Sequence, residues 1–195
     1  EAKRDYPAAI GHQSPWYTEY SHIEDHFARV NTVMTRGTPS VDIAVIHPIE
    51  SYWLNFGPAD QTGEHRSDLG DRHEQLTEWL LLGLQDFDFI SESLLPEQYR
   101  ETETGFAIGA MTYKTVIVPY LDTIRKTTLN ALKKFRKAGG EVIFMGEAPS
   151  FVDAVPSDEA KEFAKECLCI AWSRSALAGA LKKYRFIKIN KNDGY

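Results

Sequence analysis

Hydrophobic residues along this chain concentrate in four short runs that polar segments separate. The runs are rich in β-branched and aromatic residues, as expected of strands buried on both faces: Val41–Ile46, Phe87–Ile90, Thr115–Val118 and Val142–Met145. A segment with helical spacing follows most of them. Because strands that alternate with helices form parallel sheets, the pattern predicts an α/β domain whose mostly parallel sheet has helices on both faces.

The segment before the first strand has the spacing of an amphipathic helix. Its apolar residues recur at helical intervals and share one face: Ile23, Phe27, Val30 and Met34. Ser21 followed by Glu24 predicts a capping box at the start of this helix. The polar stretch 51–68 is expected to be a long loop, and the next helix is expected over 69–84.

Caps and turn signals place the elements of the second half. A β-hairpin is predicted over 106–113, and a last edge strand over Phe186–Ile189. Three helices are expected to begin at hydroxyl residues: Thr128, Ser157 and Ser173. Gly139-Gly140 ends the first of these helices, and the apolar spacing extends the second as far as Leu168.

Composition and charge narrow the class of protein. The 195 residues are 43% hydrophobic and 26% charged, which is typical of a globular domain. The formal net charge of −6 disfavours general nucleic-acid and anionic-membrane partners, which bind basic proteins. The opening residues have no signal-peptide pattern, and Cys167 and Cys169 are too close for a disulfide framework, so a cytoplasmic location is favoured for this piece.

The residues that follow the predicted strands are the first candidates for chemistry. Ligands of open parallel sheets bind outside the carboxyl ends of the strands. This places four titratable side chains in one cleft: His47, Glu50, Glu92 and Glu147. They are either acid–base groups of a functional site or ordinary solvated and helix-capping residues. The strand ends carry no serine or cysteine nucleophile elbow and no glycine-rich phosphate loop, so no catalytic residue, no metal site and no cofactor is predicted.

An aromatic segment near the start of the chain is the second candidate. It combines hydrogen-bonding groups with flat apolar rings, as sugar-binding sites do: His12, Gln13, Trp16 and Tyr17. The alternative is that Trp16 and Tyr17 dock this segment onto its own helix or onto a neighbour.

Several stretches of the chain resemble one family of domains. They are Arg29–Asn31, Arg36–Pro39, Val41–Pro48, Phe87–Ile90, the hairpin to Tyr113, Thr115–Pro119, Leu129–Phe135 and Ala138–Gly140. Together they resemble the class I glutamine amidotransferase-like, three-layer flavodoxin-like domain of large glycoside hydrolases. The similar proteins are the family 106 α-L-rhamnosidase-type enzymes and the trimerisation domain of family 42 β-galactosidases, and the likeness covers roughly residues 20–150.

This resemblance implies a division of the chain and a role. Residues 1–36 would be the tail of a catalytic barrel, with His12 and Trp16 near its sugar site, and residues 37–195 the amidotransferase-like domain. The chain departs from catalytic amidotransferases because it lacks their cysteine and His/Glu pair. It lacks also the barrel that carries a glycosidase's two carboxylates.

The resemblance therefore implies a non-catalytic accessory domain of a glycoside hydrolase. Its expected partners are the catalytic barrel, further copies of itself in a homo-oligomer, and carbohydrate as a candidate ligand. Two alternatives remain open at this point: a freestanding hydrolase that uses the strand-end cleft, and a flavodoxin-type module that binds a small molecule there.

Overall fold

The computed structural model describes residues 11–102 and 105–187. The chain divides into two compact units between Ser40 and Val41. In the first unit, a 3₁₀ turn at Tyr17–Glu19 leads directly into helix α1, Tyr20–Met34. None of the residues of α1 is buried, and its apolar stripe is therefore open.

The start of α1 differs from the prediction. The residue before the helix is Glu19, no side chain caps the helix, and the Ser21 hydroxyl donates to the Thr18 carbonyl at 3.4 Å. The capping-box prediction is wrong because the 3₁₀ turn extends the helical backbone past Ser21, which then lies inside the first turn.

The second unit contains the sheets. Its elements in chain order are β1 Ile43–Ile46, α2 Ile49–Leu54, α3 Ala59–Leu82, β2 Phe87–Ile90, α4 Leu95–Gln98, β3 Tyr99–Arg100, β4 Phe106–Ile108, β5 Met111–Tyr113, β6 Thr115–Val118, β7 Thr123–Ile124, α5 Lys126–Lys137, β8 Glu141–Met145, β9 Phe151–Val152, β10 Val155–Pro156, α6 Glu159–Ala164, β11 Leu168–Ile170 and α7 Arg174–Ala180. A 3₁₀ turn follows at Lys182–Tyr184.

The central sheet has five strands in the order β11-β8-β6-β1-β2, and all neighbouring pairs are parallel. Counted among the parallel strands alone, this is the order 2-1-3-4-5 of flavodoxin-like folds. The predicted three-layer α/β fold is confirmed. Two smaller sheets accompany it: β3-β4-β5, which contains the predicted hairpin, and β10-β9-β7.

Alternate residues of each central strand face opposite layers, because side chains alternate along a strand. On one face, strand residues such as Ala44 and Val116 pack against α5 and α6. On the other face, Ile43 and Ile117 pack against α3 and α7. Helices thus shield both faces of the sheet from water. This explains why the central strands are runs of apolar residues rather than alternating apolar and polar residues.

The predicted loop over 51–68 is wrong, because this stretch forms α2 and the first half of α3. It has few apolar residues, since this half of α3 is mostly in contact with water. Its helical state is supported by contacts one turn apart, such as the Arg72–Asp68 ion pair at 2.8 Å. Gly63 suggests a loop in the sequence but lies within the helix.

The far edge of the sheet also differs from the prediction. The edge strand is β11, whereas Phe186 and Ile187 are not in a strand and Ile189 lies outside the described residues. Helix α6 ends at Ala164, so the extension to Leu168 is wrong. Leu168, the first residue of β11, continues the apolar spacing of α6, so this local pattern gives no sign of the change to strand.

Some of the predicted helix ends are confirmed and others are not. The Ser173 hydroxyl accepts from Ala176 N at 3.2 Å, which confirms that cap, and Gly139 takes the left-handed conformation after α5. Thr128 lies within the first turn of α5 and is buried, so it is not the cap. Asp158 precedes α6, while the Ser157 hydroxyl accepts from Glu159 N at 3.2 Å.

Leu80 and Leu81 of α3 provide a matched test of the core. Leu80 is fully buried against the sheet, whereas Leu81 is 59% exposed. We expect Leu80→Ala to lower the free energy of unfolding by about 3 kcal/mol, because it leaves a cavity in a packed layer. Leu81→Ala should change it by less than about 0.5 kcal/mol. Urea unfolding of both variants measures the difference, and equal losses would contradict this packing.

Candidate functional site

The carboxyl ends of β1 and β6 form the point at which the strand order reverses. Helix α3, after β1, packs on one face of the sheet, and α5, after β6, packs on the other, so a crevice opens between the two connections. The buried Ser51 hydroxyl joins them, accepting from the backbone N–H groups of Asp122 at 2.9 Å and Thr123 at 3.2 Å. Ser51 is therefore a structural hydroxyl rather than an exposed nucleophile.

Arg125 brings two of the predicted carboxylates together. Its Nε donates to both oxygens of Glu50, at 2.8 and 2.9 Å, and its backbone N–H donates to Glu92 Oε2 at 2.8 Å. Glu50 and Glu92 follow different strands, so the arginine ties together the connections after β1, β2 and β6. The guanidinium is partly exposed, whereas Glu92 is 3% exposed.

Glu92 has an unusual protonation equilibrium. Burial raises the pKa of its carboxyl to about 7, while the Thr128 hydroxyl and the Arg125 backbone N–H oppose the shift and the charge of Glu50 adds to it. The carboxyl therefore changes its charge near neutral pH, directly beside Arg125.

A cavity of about 380 Å³ opens beside the Arg125–Glu50 pair. It is lined by Glu50, Trp53, Leu54, Thr123, Arg125, Asp153 and Ala154. Trp53 is 61% exposed and forms an aromatic wall. The opposite rim is the tight turn between β9 and β10, where Asp153 and Ala154 have φ of +49° and +62°, a conformation that favours glycine.

Hydrogen bonds hold that turn in its strained conformation. Asp153 N donates to the Ile124 carbonyl at 3.0 Å, and Ala154 N donates to the Thr123 hydroxyl at 3.1 Å. Lys126 N donates to Asp153 Oδ1 at 2.9 Å, which places this carboxylate at the start of α5. The rim of the cavity is thus fixed from several sides.

A second polar group lies further along the strand ends. Asp122 Oδ2 accepts from Asn55 Nδ2 at 2.7 Å and lies 2.8 Å from His65 Nε2. The Arg72 guanidinium stacks 4.3 Å from the ring centre of Tyr120 and 5.4 Å from that of Trp172. Among residues 11–102 and 105–187, no serine or cysteine side chain hydrogen-bonds to His65, so the pair has no nucleophile to activate.

The other two predicted cleft residues lie apart from Arg125. His47 packs edge-on against His73, with ring centres 5.0 Å apart, and against Phe89 at 5.5 Å. Burial lowers the pKa of both imidazoles, and the charge of His73 lowers that of His47 further. Glu147 is exposed, and its charge is one of those that raise the pKa of Tyr120 after burial and Asp122.

The four cleft residues therefore divide among three places along the strand ends. Only Glu50 and Glu92 are joined, and no hydrogen bond within the described part of the chain links His47 or Glu147 to them. The convergence that a freestanding hydrolase requires is not found. Among residues 11–102 and 105–187, no three histidine, cysteine, aspartate or glutamate side chains gather as a metal site. No helix in these ranges has the length and apolar character of a membrane span.

The aromatic segment belongs to the first unit. His12, Gln13, Trp16 and Tyr17 are all exposed on the turns that precede α1. Tyr17 N donates to the Ser14 carbonyl at 3.1 Å, so the segment is compact locally. The sugar-binding role of these four residues stays a prediction.

Sequence reasoning missed Arg125 and Asp153 as members of the site. Each is an ordinary polar residue in a turn, and Arg125 is separated from Glu50 by 75 positions. The one available signal was the placement of Arg125 soon after a buried strand, at the edge where ligands bind.

Comparison with known proteins bears on the fold. No protein-family model matches the sequence, and no curated protein matches it. Among solved structures, Gan42B, a GH42 β-galactosidase, aligns with a TM-score of 0.50 at 16% identity, over 77% of this chain and 20% of its own. A β-galactosidase from Rahnella sp. R3 aligns with a TM-score of 0.49 at 16% identity, over 75% of this chain and 20% of its own. The likeness to Gan42B is one of fold. The chain spans about a fifth of the length of either enzyme.

The raised pKa of Glu92 makes stability depend on pH in a testable way. Between the ordinary carboxyl pKa and about 7, the folded state binds the extra proton, so Glu92 destabilises the fold increasingly as the pH rises. We expect Glu92→Gln to be nearly neutral at pH 5 and to stabilise by up to about 3 kcal/mol at pH 8.

Urea unfolding at both pH values measures this effect as a difference from the parent chain, which cancels the opposite contribution of His47 and His73. Those imidazoles have lowered pKa values in the folded state. They therefore destabilise the fold at acid pH, and this destabilisation disappears as the pH rises. The exposed Glu97→Gln is the control and should show no such difference. An equal effect of Glu92→Gln at the two pH values would contradict the assignment.

Proposed function

We propose that this chain is a non-catalytic, amidotransferase-like accessory module of a glycoside hydrolase, which packs against a catalytic barrel and takes part in a homo-oligomer. The likeness in fold to part of a β-galactosidase supports this proposal. The distribution of apolar surface supports it independently.

The observation that carries the proposal is the open stripe of α1. The stripe side chains are each at least 43% exposed, with Phe27 at 65% and Met34 at 74%. A helix with so regular an apolar face is normally covered by another layer of protein. The outer helices of a barrel have this character, because one face packs on the barrel strands.

The second unit adds a further exposed apolar surface, formed by Trp53, Leu54 and Phe56 at the end of α2 and just beyond it. It adjoins the cavity at the strand ends. A barrel packed here would cover Leu54 and Phe56 and close the cavity from the side, which agrees with a role in shaping a sugar site rather than in attacking the sugar. The described strand ends offer carboxylates tied to Arg125 and no group that is poised as a nucleophile.

The proposal predicts that the 195-residue chain alone does not hydrolyse nitrophenyl glycosides. Its paired carboxylates, Glu50 and Glu92, both bind Arg125, and Glu92 is buried, so the two do not flank a shared open site as the catalytic pair of a glycosidase does. The assay compares the chain with buffer over a panel of nitrophenyl α- and β-glycosides. Turnover that Glu50→Gln abolishes would show an active site of its own and would overturn the proposal.

A pair of substitutions on α1 tests the packing. The protein to use is the complete polypeptide that the gene encodes, which the proposal expects to include a catalytic barrel. Phe27→Glu places a charge in the stripe, and we expect it to lower the temperature of inactivation of the glycosidase by roughly 5 °C or more. Thr32 lies on the opposite face of the helix and is also exposed, so Thr32→Glu should leave the temperature of inactivation unchanged.

Either of two results would contradict the packing on a barrel. One is a complete reading frame that encodes no barrel. The other is an equal effect of Phe27→Glu and Thr32→Glu on the temperature of inactivation.

A further inference from the structure

The cavity beside Arg125 has unused hydrogen-bonding groups that point to a ligand. Nε of Arg125 is occupied by Glu50, but within the described residues neither of its terminal Nη groups has a partner. Asp153 uses Oδ1 for the Lys126 N–H, and its Oδ2 likewise has no partner there. The cavity therefore presents nitrogen donors beside carboxylate acceptors, the pairing that suits neighbouring hydroxyl groups.

The charge of the cavity favours a neutral ligand. The Arg125 guanidinium is already balanced by Glu50, and the charge of Asp153 lies at the first turn of α5. An anion would approach two carboxylates, and a cation would approach the arginine. A neutral polyol avoids both penalties, since its hydroxyl groups accept from the guanidinium and donate to the carboxylates.

Trp53 adds the requirement for a flat apolar face. The indole is 61% exposed although it lines a cavity, so one face is open to a ligand ring. Rings that are apolar on one face and polar at the edge are those of saccharides, and aromatic side chains bind them by stacking. The cavity of about 380 Å³ lies at the lower end of the ~300–1,000 Å³ range of ligand pockets, which suits a small sugar.

The surroundings hold these groups in place before a ligand arrives. Arg125 is fixed by two bonds to Glu50, and the rim at Asp153 and Ala154 is kept in a left-handed conformation by backbone and side-chain hydrogen bonds. Strain of this kind, about 1–3 kcal/mol per residue, persists only where neighbours enforce it and is concentrated at ligand sites. The position is also the strand-order reversal at which this fold class binds its ligands.

We propose that this cavity is a saccharide-binding subsite, in which a neutral sugar ring stacks on Trp53 while the Nη groups of Arg125 donate to its hydroxyl groups and Glu50 and Asp153 accept from them. The choice of a saccharide over other neutral rings with hydroxyl groups rests on the proposed function, whereas the aromatic wall and the polar rim do not. Leu54 and Ala154 complete the apolar side of the subsite.

NMR titration of the isotope-labelled 195-residue chain tests the subsite directly. The probes are D-galactose and lactose, with glycerol as a polyol without a ring and D-glucuronate as an anionic sugar. We expect saturable shifts of the Trp53 indole and Arg125 guanidinium signals with the neutral sugars, at a Kd of about 1–10 mM. Glycerol should cause no saturable shift, and glucuronate should bind no more tightly than galactose.

Trp53 and Phe56 provide matched variants. Both are exposed aromatic residues of one short segment, but only Trp53 lines the cavity. Trp53→Ala should weaken galactose or lactose binding at least about tenfold, Trp53→Phe about threefold, and Phe56→Ala less than about twofold. The spectrum of each variant without sugar confirms that it is folded.

Several results would overturn the subsite. They are the absence of a saturable shift up to about 100 mM of either neutral sugar, equal losses in Trp53→Ala and Phe56→Ala, shifts with glycerol equal to those with galactose, or glucuronate binding at least about tenfold more tightly than galactose. None of these results bears on whether the complete polypeptide contains a barrel. Failure of the subsite and failure of the accessory role are therefore distinguishable.

Discussion

A parallel sheet must be covered on both faces, and this requirement decides where the second unit has room for chemistry. Neighbouring residues of β1, Ile43 and Ala44, face opposite apolar layers and are both buried. With the two faces filled, only the strand ends remain open to polar groups. The connections after β1 and β6 leave toward opposite layers, so a crevice opens between them.

The chain bridges that opening with polar contacts instead of apolar packing. Ser51 accepts two backbone N–H groups from the connection after β6, and Arg125 of that connection holds Glu50 and Glu92 from the other side. These bonds replace the sheet hydrogen bonds that end with the strands. They leave one side of the arginine and one face of Trp53 free, and a rigid scaffold with unused groups is what a binding site requires.

Much of this architecture is predictable from the sequence. The strands β1, β6 and β8 are so rich in Val and Ile that each is recognised as a strand even if its ends are placed a residue or two differently. The hairpin and the cap at Ser173 are also predictable, because the residues that specify them are close together in the sequence. The start of α3 is not predictable, since a half-exposed helix has weak apolar periodicity and Gly63 is typical of a loop. Strand β11 is too short to interrupt the pattern of the helix before it.

The site divides in the same way. Glu50 and Glu92 were found because each follows a predicted strand closely. Arg125, which joins them, has no local mark, and its role arises from a contact across 75 positions. His47 follows β1 even more closely than Glu50 does, yet its ring packs against His73 on α3. Proximity to a strand end thus selects candidates, and side-chain direction decides among them.

The Asp153–Ala154 turn has a consequence for how the rim of the cavity is kept. Glycine at position 154 would adopt the left-handed backbone at little energetic cost, whereas alanine holds a methyl group there against its own preference. The hairpin forms less easily than it would with glycine, but the alanine adds a methyl group to the residue that lines the cavity. A single methyl group therefore distinguishes this lining from that of a glycine turn, although the backbone conformation itself requires only a hydrogen at this position.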